Sequence, residues 1–503
     1  MTSLNNAPVL VVGAGIMGAG IAQVAAQAGH PVFLFDMREG AAAQAKAKLA
    51  ATLDGLVAKG KITAEAAAAT LARIEPIPSL DAAAGAALVV EAIVENLDAK
   101  RSLFRQLESV VGEAAILASN TSSISVTAIA NGLLHPERFV GMHFFNPVPQ
   151  MKLVEVVSGL QTDAAVAQAI EALSVAWGKV PVHARSTPGF IVNRIARPYY
   201  AETLALLQEQ AATPQRLDAC LKAAGFRMGP CELMDLIGHD TNFAVTNSVF
   251  EANFGDKRYV PSLVQRELVD GGLLGRKSGR GFYTYPEGAP ALPATAHEVP
   301  LAMGPVTVHG DGEIADRLEQ LVAQGGLSGD AAPSRQRQTW VGLDIGGARL
   351  VLTDGRTAGD IAAREGVADV AVFDRPLLWP AAPGGALAYA VAPQASAGWR
   401  QQAPAWLAAL GFAPVPLADA PGLVVARTIA MLINEAADAV QQGVCTPEGA
   451  DAAMKLGVNY PAGPFEWLAR WSVAGVTQVM ESLDAYYRGE RYRISPWLRR
   501  QRA

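Results

Sequence analysis

The sequence predicts an α/β protein whose N-terminal part is a doubly wound parallel sheet, followed by helical segments and a smaller α/β segment. Three observations predict this class: a strand–glycine–helix–strand run at residues 9–36, further strand-like runs up to residue 145, and an internal repeat of a helical segment. With 503 residues the chain is too long for one compact core, so we expect several domains. Half of the residues are hydrophobic and 17% are charged, which is typical of a globular protein.

The composition argues against several classes of function. A net charge of −6 does not favour a nucleic-acid or anionic-membrane surface. The three cysteines show no CxxC spacing, which favours a reducing compartment and argues against a metal site. They are Cys220, Cys231 and Cys445. No basic region precedes the first apolar stretch, so we expect neither a signal peptide nor a membrane span, and a cytoplasmic protein.

The first element is a β-branched run, Val9–Val12, which suits a buried parallel strand. It enters a GxGxxG pattern made by Gly13, Gly15 and Gly18. In such a pattern the first glycine allows a tight turn, the second lets the backbone approach a pyrophosphate, and the third lets helix pack on strand. The helix from about Ile16 offers its N-terminal amides to phosphate. By itself this pattern is also produced by a small-residue turn that binds nothing.

A second apolar run, Val32–Phe35, ends on Asp36, eighteen residues after Gly18. A carboxylate at this place accepts the ribose hydroxyls of NAD and repels the extra phosphate of NADP. Arg38 lies close by and could favour NADP, but we expect Asp36 to dominate. Strand, glycines, helix, strand and acid together predict a Rossmann-type domain that binds NAD.

The sheet continues in three more strand-like runs, at Ala87–Val94, Ala115–Ala118 and Phe139–Phe145. Before them lies an Ala-rich insertion, Gly40–Leu80, which is long enough for a helical hairpin. The insertion carries Lys59. On composition alone this lysine belongs to a solvated helix face.

Polar residues follow the later strands. The stretch SNTSSIS, residues 119–125, is rich in hydroxyls, and His143 lies near a strand end ahead of an alternating strand that bears Glu155. In an open α/β sheet, ligands bind at the carboxyl ends of the strands. An imidazole suits the removal of a hydroxyl proton during alcohol oxidation, and a carboxylate behind the ring orients it. A histidine beside two phenylalanines is also typical of a core, and the sequence does not place His143 and Glu155 in contact.

A set of ordered motifs makes the reading more specific. They are VGAGIMGAGIA, VEN at Glu95, SNTSS, HFFNPVPQMKLVEVV, STPGFIVNR and GRKSGRGFYTY. Over residues 8–285 the chain resembles the (S)-3-hydroxyacyl-CoA dehydrogenase family, which includes 3-hydroxybutyryl-CoA dehydrogenases. The resemblance implies NAD-dependent oxidation of (S)-3-hydroxyacyl-CoA to 3-oxoacyl-CoA.

The resemblance also implies roles for individual residues. It implies a catalytic set of His143 as base, Glu155 as its partner, Ser122 and Asn193. It implies cofactor contacts at Gly13, Gly15, Ile16, Met17, Gly18, Asp36, Glu95, Lys100, Asn120, Ser122 and Asn146. It implies substrate contacts at Ser122, Asn193 and Lys59, the last toward a CoA phosphate, which replaces the solvated-face interpretation of that lysine.

The second half of the chain repeats part of the first. Residues 176–222 align with residues 409–455 at a constant offset of 233 without a gap. Matched positions include Pro188-Gly189 with Pro421-Gly422, Arg194 with Arg427, and Glu202 with Glu435. We therefore expect five segments. They are an NAD-binding domain (1–186) with a helical protrusion (about 40–80), a first helical repeat (187–286), a linker rich in Pro, Gly and Ala (287–337), a reduced Rossmann-like remnant (338–418) and a second helical repeat (419–503).

The remnant is expected to bind no cofactor. Residues 338–418 contain neither a GxGxxG after a strand nor an HFFNP stretch, and Ala426 stands where the first repeat has Asn193. Residues 339–352 have the pattern of two strands around a glycine turn. The whole arrangement resembles long members of the family, sometimes assigned to 3-hydroxyadipyl-CoA or 3-hydroxybutyryl-CoA oxidation in phenylacetate catabolism.

Several alternatives remain at this stage. The helical repeats could pack on each other as a pseudo-dimer within one chain, or the second half could be an independent appended domain. The chain could be an NAD-binding protein without catalysis, or a hydroxyacid dehydrogenase with a lysine base. For the last class, no lysine replaces His143.

Overall fold

The computed structural model describes residues 4–292, 300–301, 304–329, 332–379 and 384–502. The chain forms two compact units. The first contains the chain up to Arg194 together with Ala439–Val458, and the second contains Ile195–Asp438 and the chain from Asn459 onward. Part of the second helical repeat therefore belongs to the first unit. Among the described residues, no helix combines the length and the apolar character that crossing a bilayer requires.

The first unit is built around an eight-stranded sheet with the order β3-β2-β1-β4-β5-β6-β7-β8. Its strands are β1 (Val9–Val12), β2 (Val32–Phe35), β3 (Ile74–Pro76), β4 (Leu88–Glu91), β5 (Ile116–Ser119), β6 (Phe139–Phe144), β7 (Leu153–Ser158) and β8 (Val180–Arg185). All neighbours are parallel except β6 and β7. The predicted strands are confirmed, with the third, Ala87–Val94, shortened to β4. Most of their apolar side chains are buried, because helices cover both faces of a parallel sheet.

Helices of the first unit fill the connections between its strands. They are α1 (Ile16–Gln27), α2 (Ala41–Ala58), α3 (Ala64–Ala72), α4 (Leu97–Val110), α5 (Val126–Ala130) and α6 (Ala164–Ala176), and the second half of the chain adds α17 (Pro447–Val458). The predicted helical hairpin is confirmed as α2 and α3. The short helix α7 (Val192–Ile195) lies at the end of the first part of this unit.

The second unit holds the remaining helices. They are α8 (Arg197–Gln208), α9 (Pro214–Ala223), α10 (Pro230–Ile237), α11 (His239–Ala252), α12 (Leu263–Asp270), α13 (Glu313–Gln324), α14 (Ala358–Glu365), α15 (Ala397–Ala409), most of α16 (Val425–Gln441), α18 (Pro464–Trp471), α19 (Val473–Tyr487) and α20 (Pro496–Arg502).

A seven-stranded sheet forms the second α/β layer, with the order β10-β9-β11-β12-β13-β14-β15. Its strands are β9 (Val306–His309), β10 (Ser334–Gln336), β11 (Gly342–Ile345), β12 (Ala348–Leu352), β13 (Val370–Phe373), β14 (Gly385–Val391) and β15 (Phe412–Pro416). β11 and β12 form the predicted antiparallel pair around a glycine turn. The antiparallel β13–β14 pair followed by parallel β15 repeats the arrangement of β6, β7 and β8.

The structure differs from the sequence prediction over residues 287–337. The predicted linker contains β9, α13 and β10, which all belong to the second unit. The Pro, Gly and Ala content of this segment led to the linker prediction, but the segment contains β9 and α13. The helix α13 buries Ile314, Ala315, Leu318 and Val322.

A glycine turn also lies earlier in the chain than the predicted remnant. Gly310 and Gly312 follow β9 and precede α13. The strand registers place Arg337 directly after β10, where the first sheet has Asp36 directly after β2. The second sheet thus carries an arginine at the position where the first sheet carries Asp36.

Candidate active site

The turn between β1 and α1 owes its shape to two glycines. Gly13 has a φ of +102°, and a Cβ there would lie 2.5 Å from the carbonyl oxygen of Ala92. A Cβ on Gly18 would lie 1.7 Å from the carbonyl oxygen of Gly13, so this position requires glycine for packing. A Cβ on Gly15 would meet no atom within 4 Å, which leaves open space beside the N-terminus of α1. A phosphate group can approach the backbone amides there.

Asp36 closes the other side of the turn. Its Oδ2 accepts a hydrogen bond from the backbone N–H of Ala14 at 2.9 Å, and its Oδ1 accepts from the backbone and Nε of Arg38 at 3.0 and 3.1 Å. Burial of Asp36 opposes ionisation, but the bonds from Arg38 and Ala14 and the charge of Arg38 hold its pKa below the ordinary value. The carboxylate is therefore ionised and available to ribose hydroxyls. Arg38 is engaged by Asp36.

Three apolar side chains near this turn are exposed. Ile16 is 79%, Met37 88% and Val94 67% accessible. Each follows the carboxyl end of β1, β2 or β4, the edge at which an open parallel sheet binds ligands. The open glycine turn, the ionised acid and this apolar edge together fit a dinucleotide.

His143 and Glu155 are in contact. They lie directly opposite each other in the antiparallel β6–β7 ladder, and Nδ1 of His143 is 2.5 Å from Oε2 of Glu155. Both side chains are buried, Glu155 completely. The hydrogen bond leaves Nε2 as the ring nitrogen that can meet a substrate. The core-histidine interpretation does not account for a buried carboxylate partner.

Aromatic rings and an amide fix the end of β6. The imidazole of His143 lies 4.5 Å from the ring of Phe145 and 5.9 Å from that of Phe190, measured between centroids. Oδ1 of Asn120 accepts a hydrogen bond from the backbone N–H of Phe144 at 2.8 Å. Asn120 therefore ties the polar loop after β5 to the strand that carries His143.

Glu95 holds the SNTSS loop. Its Oε1 accepts hydrogen bonds from the hydroxyl of Thr121 (2.7 Å), the backbone of Ser122 (2.9 Å), and the backbone and hydroxyl of Ser123 (3.1 and 3.0 Å). Burial raises the pKa of Glu95, but the charge of Lys100 and these hydrogen bonds more than offset it, and the pKa lies below the ordinary value. The carboxylate is ionised and fixes the backbone at Ser122.

A buried charge cluster supports Glu95. The ammonium of Lys100 lies 2.6 Å from Oε1 of Glu91 and 3.3 Å from Oε2 of Glu95, and the hydroxyl of Ser119 donates to Oε2 of Glu91 at 2.6 Å. Lys100 and Glu91 are 1% or less exposed. Sequence analysis missed Glu91, although a carboxylate that ends an apolar strand in a parallel sheet was a usable signal.

The structure places the remaining predicted residues at different depths. Asn146 is exposed on the loop between β6 and β7, and Asn193 is half-buried in α7. Lys59 is exposed at the C-terminal end of α2, in the helical protrusion. Ser122 is half-buried, and Met17, in the first turn of α1, is half-buried as well.

Lys179 is a second residue that sequence analysis missed. Its buried ammonium donates to the carbonyl oxygens of Val148 and Met151 at 2.5 and 2.8 Å. Both carbonyls belong to the loop that carries Asn146. Nothing in its sequence context marks this lysine, because the loop lies about thirty residues earlier.

Three family models match the chain. The model described as "3-hydroxyacyl-CoA dehydrogenase, NAD binding domain" matches residues 8–187. The model described as "3-hydroxyacyl-CoA dehydrogenase, C-terminal domain" matches residues 189–285 and again 422–502. The "3-hydroxybutyryl-CoA dehydrogenase reduced Rossmann-fold domain" matches residues 350–421.

Individual relatives agree with these matches. The 3-hydroxyadipyl-CoA dehydrogenase of Escherichia coli K12 is 43% identical over 500 residues, covering 99% of this chain and 98% of the relative. A probable 3-hydroxybutyryl-CoA dehydrogenase of Deinococcus radiodurans is 44% identical over 276 residues, covering 55% of this chain and 99% of the relative. A crystal structure of a 3-hydroxybutyryl-CoA dehydrogenase from Escherichia coli K12 superposes with a TM-score of 0.89 at 42% identity, covering 99% of this chain and 98% of the other.

Proposed function

The chain belongs to the 3-hydroxyacyl-CoA dehydrogenase family, and on that premise we propose that His143 is its catalytic base and Glu155 the carboxylate that orients it. The enzyme is NAD-dependent and acts on a 3-hydroxyacyl-CoA. The observation that carries the proposal is the 2.5 Å separation between Nδ1 of His143 and Oε2 of Glu155 inside a buried strand pair.

The dyad moves a proton. Oε2 of Glu155 accepts a hydrogen bond from Nδ1–H of His143, which leaves the lone pair of Nε2 free to take the proton of the substrate 3-hydroxyl. The imidazolium that results is stabilised by the adjacent carboxylate, because attraction between charges is stronger in a buried site. NAD, when bound, accepts the hydride from C3, the carbon that bears this hydroxyl. In the reverse direction His143 returns its proton to the 3-oxo oxygen.

Neighbouring polar residues position the reactants. In this proposal Ser122 and Asn193 hydrogen-bond the oxygens of the acyl group. Asn120 and Asn146 contribute to the nicotinamide side of the site. Glu95 contacts the cofactor region, with Lys100 acting through it, since the ammonium of Lys100 is buried between two carboxylates. Lys59 meets a phosphate of CoA from the exposed end of α2.

Replacing the imidazole tests the assignment. His143→Gln is expected to lower kcat for acetoacetyl-CoA reduction about 10²- to 10⁴-fold, because the proton donor is lost. NADH absorbance at 340 nm follows turnover, and fluorescence titration shows that NADH still binds. His183→Gln is the control, because His183 is an exposed histidine of the same domain that pairs with Glu171. Near-wild-type turnover in His143→Gln would show that His143 is not the catalytic base.

We further propose that the substrate is 3-hydroxyadipyl-CoA or 3-hydroxybutyryl-CoA, the two compounds named for the relative and the solved structure that each match 99% of the chain. The ratio of kcat/KM for 3-hydroxyadipyl-CoA and 3-hydroxybutyryl-CoA measures the preference. A ratio above about tenfold, a difference of about 1.4 kcal/mol, supports the six-carbon diacid. A ratio below one assigns the enzyme to 3-hydroxybutyryl-CoA.

The second helical repeat, we propose, is a built-in dimer partner of the first. The offset of 233 residues relates Glu202 to Glu435 and Arg258-Tyr259 to Arg491-Tyr492. In the second unit, Arg491 and Tyr492 donate to Glu202 at 2.8 and 3.0 Å. Arg258 and Tyr259 donate to Glu435 at 3.1 and 2.6 Å. Each repeat therefore binds the buried glutamate of the other, which is the reciprocal pattern of a two-fold interface.

Helix-to-sheet packing supports the same proposal. Within the second unit, α9 of the first repeat packs on β14. Within the first unit, α17 of the second repeat packs on β7 and β8, so closely that a Cβ on Gly457 would lie 2.7 Å from Cδ2 of Leu153. Because each repeat covers the sheet of the other half, this packing argues against an independent appended domain.

A further inference from the structure

Glu155 divides its two carboxylate oxygens between two tasks. Oε2 is bonded to His143, and Oε1 accepts the backbone N–H groups of Ile191 and Val192 at 3.1 and 3.0 Å. The carboxylate is fully buried, so water does not compete for either oxygen. One oxygen belongs to the proposed dyad and the other holds the backbone immediately before Asn193.

The segment that Glu155 holds has an unusual backbone. Gly189 has a φ of +77° and Phe190 a φ of +46°. A bulky residue at positive φ is disfavoured and persists only where the surroundings enforce it. The two amides on Glu155 follow this turn directly, and Asn193 follows them. The position of Asn193 therefore depends on an acceptor at Oε1.

The second half of the chain repeats this turn without the dyad. Gly422 and Leu423, at the same offset of 233, have φ values of +74° and +51°. The backbone N–H groups of Val424 and Val425 donate to Oδ2 of the fully buried Asp374 at 2.9 and 2.6 Å. These amides are the counterparts of those of Ile191 and Val192.

Asp374 supplies this acceptor from a different strand. It directly follows β13, whose pairing pattern matches that of β6, the strand of His143, whereas Glu155 lies on β7. Within the described residues, the Asp374 side chain accepts its hydrogen bonds from backbone N–H groups, those of Arg375, Val424, Val425 and Ala426. The second half therefore has a buried carboxylate that accepts the backbone N–H groups of this turn, although β13 contains no histidine.

We propose that Glu155 is a positioning residue for Asn193, independently of its role toward His143. This inference rests on the proposed function and deepens it, since it assigns Glu155 to substrate binding as well as to proton transfer. Through Oε1, Glu155 sets the backbone that presents the Asn193 amide to the acyl group.

A glutamine at position 155 cannot perform both tasks. Its amide has one acceptor oxygen and an NH₂ group that only donates. If the oxygen faces Ile191 and Val192, the NH₂ group donates to Nδ1 of His143 and imposes the tautomer with a proton on Nε2, which cannot act as base. If the oxygen faces His143, the NH₂ group opposes two backbone donors and the turn is released.

A background without the imidazole separates the tasks. In His143→Ala, acetoacetyl-CoA binding is measured by calorimetry at saturating NAD. Acetoacetyl-CoA and NAD are both in the oxidised form, so no hydride is transferred during the measurement. Adding Glu155→Ala, which removes both carboxylate oxygens, is expected to weaken binding about fivefold, the worth of one hydrogen bond, and to speed amide hydrogen exchange at Ile191 and Val192. Alanine is used because, without the imidazole, a glutamine could turn its one acceptor oxygen toward both amides. Adding Asn193→Ala as well is expected to cost less than about twofold more, because the amide is already displaced.

Asp374→Ala is the matched control. It removes the carboxylate acceptor of the corresponding turn in the second half, which carries no proposed catalytic residue, so it is expected to speed exchange at Val424 and Val425 and leave acetoacetyl-CoA binding unchanged. An unchanged dissociation constant on adding Glu155→Ala to His143→Ala would overturn the inference, as would full additivity with Asn193→Ala. Neither result touches the base assignment, which depends on the turnover of His143→Gln in the otherwise wild-type enzyme.

Discussion

At the scale of single residues, three carboxylates of the first unit act on backbone as much as on other side chains. Glu95 accepts backbone N–H groups of the SNTSS loop, Glu155 those of Ile191 and Val192, and Asp36 that of Ala14. A carboxylate that takes several such bonds fixes a loop more rigidly than a neutral acceptor, because charge-assisted hydrogen bonds are roughly twice as strong.

This reasoning predicts the effect of Glu95→Gln. The amide oxygen keeps one acceptor but loses the charge that faces Lys100, so the loop at Ser122 is held less firmly. We expect KM for the acyl-CoA and Kd for NADH to rise about fivefold, as for the loss of one hydrogen bond worth about 1 kcal/mol. The control is Glu171→Gln, since Glu171 is an exposed carboxylate paired with His183. Unchanged constants in Glu95→Gln would show that the loop does not depend on this carboxylate.

At the scale of elements, the loop between β6 and β7 is held by a lysine that lies later in the chain, after β7 and α6 and just before β8. Lys179, directly before β8, binds two carbonyl oxygens of this loop. Burial, reinforced by the charge of Lys152, lowers the pKa of Lys179 to about 8. Near neutrality the ammonium is thus retained at a cost in the free energy of unfolding. In return it holds the loop that bears Asn146 by two carbonyl oxygens.

A pH dependence follows from that pKa. Between about pH 8 and the ordinary lysine value near 10.4, the unfolded chain binds more protons than the folded one, so folding becomes more favourable as pH rises. We expect the wild-type Tm to rise relative to that of Lys179→Met across this interval. Lys61→Met, which removes an exposed lysine, should follow the wild type. If Tm, measured by calorimetry, changes with pH in the same way for the wild type and Lys179→Met, the lowered pKa of Lys179 would be contradicted.

At the scale of the whole molecule, local patterns in the sequence predicted much of the fold, and contacts between distant segments explain the rest. The glycine turn and Asp36 follow from short spacings, and the repeat is visible at a fixed offset. The contact of His143 with Glu155 depends on the strand register, which an eight-residue loop does not specify. Glu91 and Lys179 have partners set by tertiary packing. β9 and α13 were missed because turn-forming residues surround them.

The paired helical repeats carry the last prediction. A chain that ends after Tyr285 loses every partner that Glu202 has in the second repeat, namely Arg427, Arg491 and Tyr492. It keeps Arg258 and Tyr259, the counterparts of Arg491 and Tyr492. Two truncated chains can therefore bind each other's Glu202 with this pair, as the full chain binds Glu202 internally.

We therefore expect the truncated chain to sediment as a dimer in analytical ultracentrifugation, and its Glu202→Lys variant to sediment as a monomer or to precipitate. The Deinococcus relative is matched over 99% of its length by 276 residues, so a relative about as long as the truncated chain exists. A truncated chain that is monomeric, soluble and fully active would show that the first repeat needs no partner. The reciprocal glutamate contacts of the full chain would then contribute to stability without standing in for a second subunit.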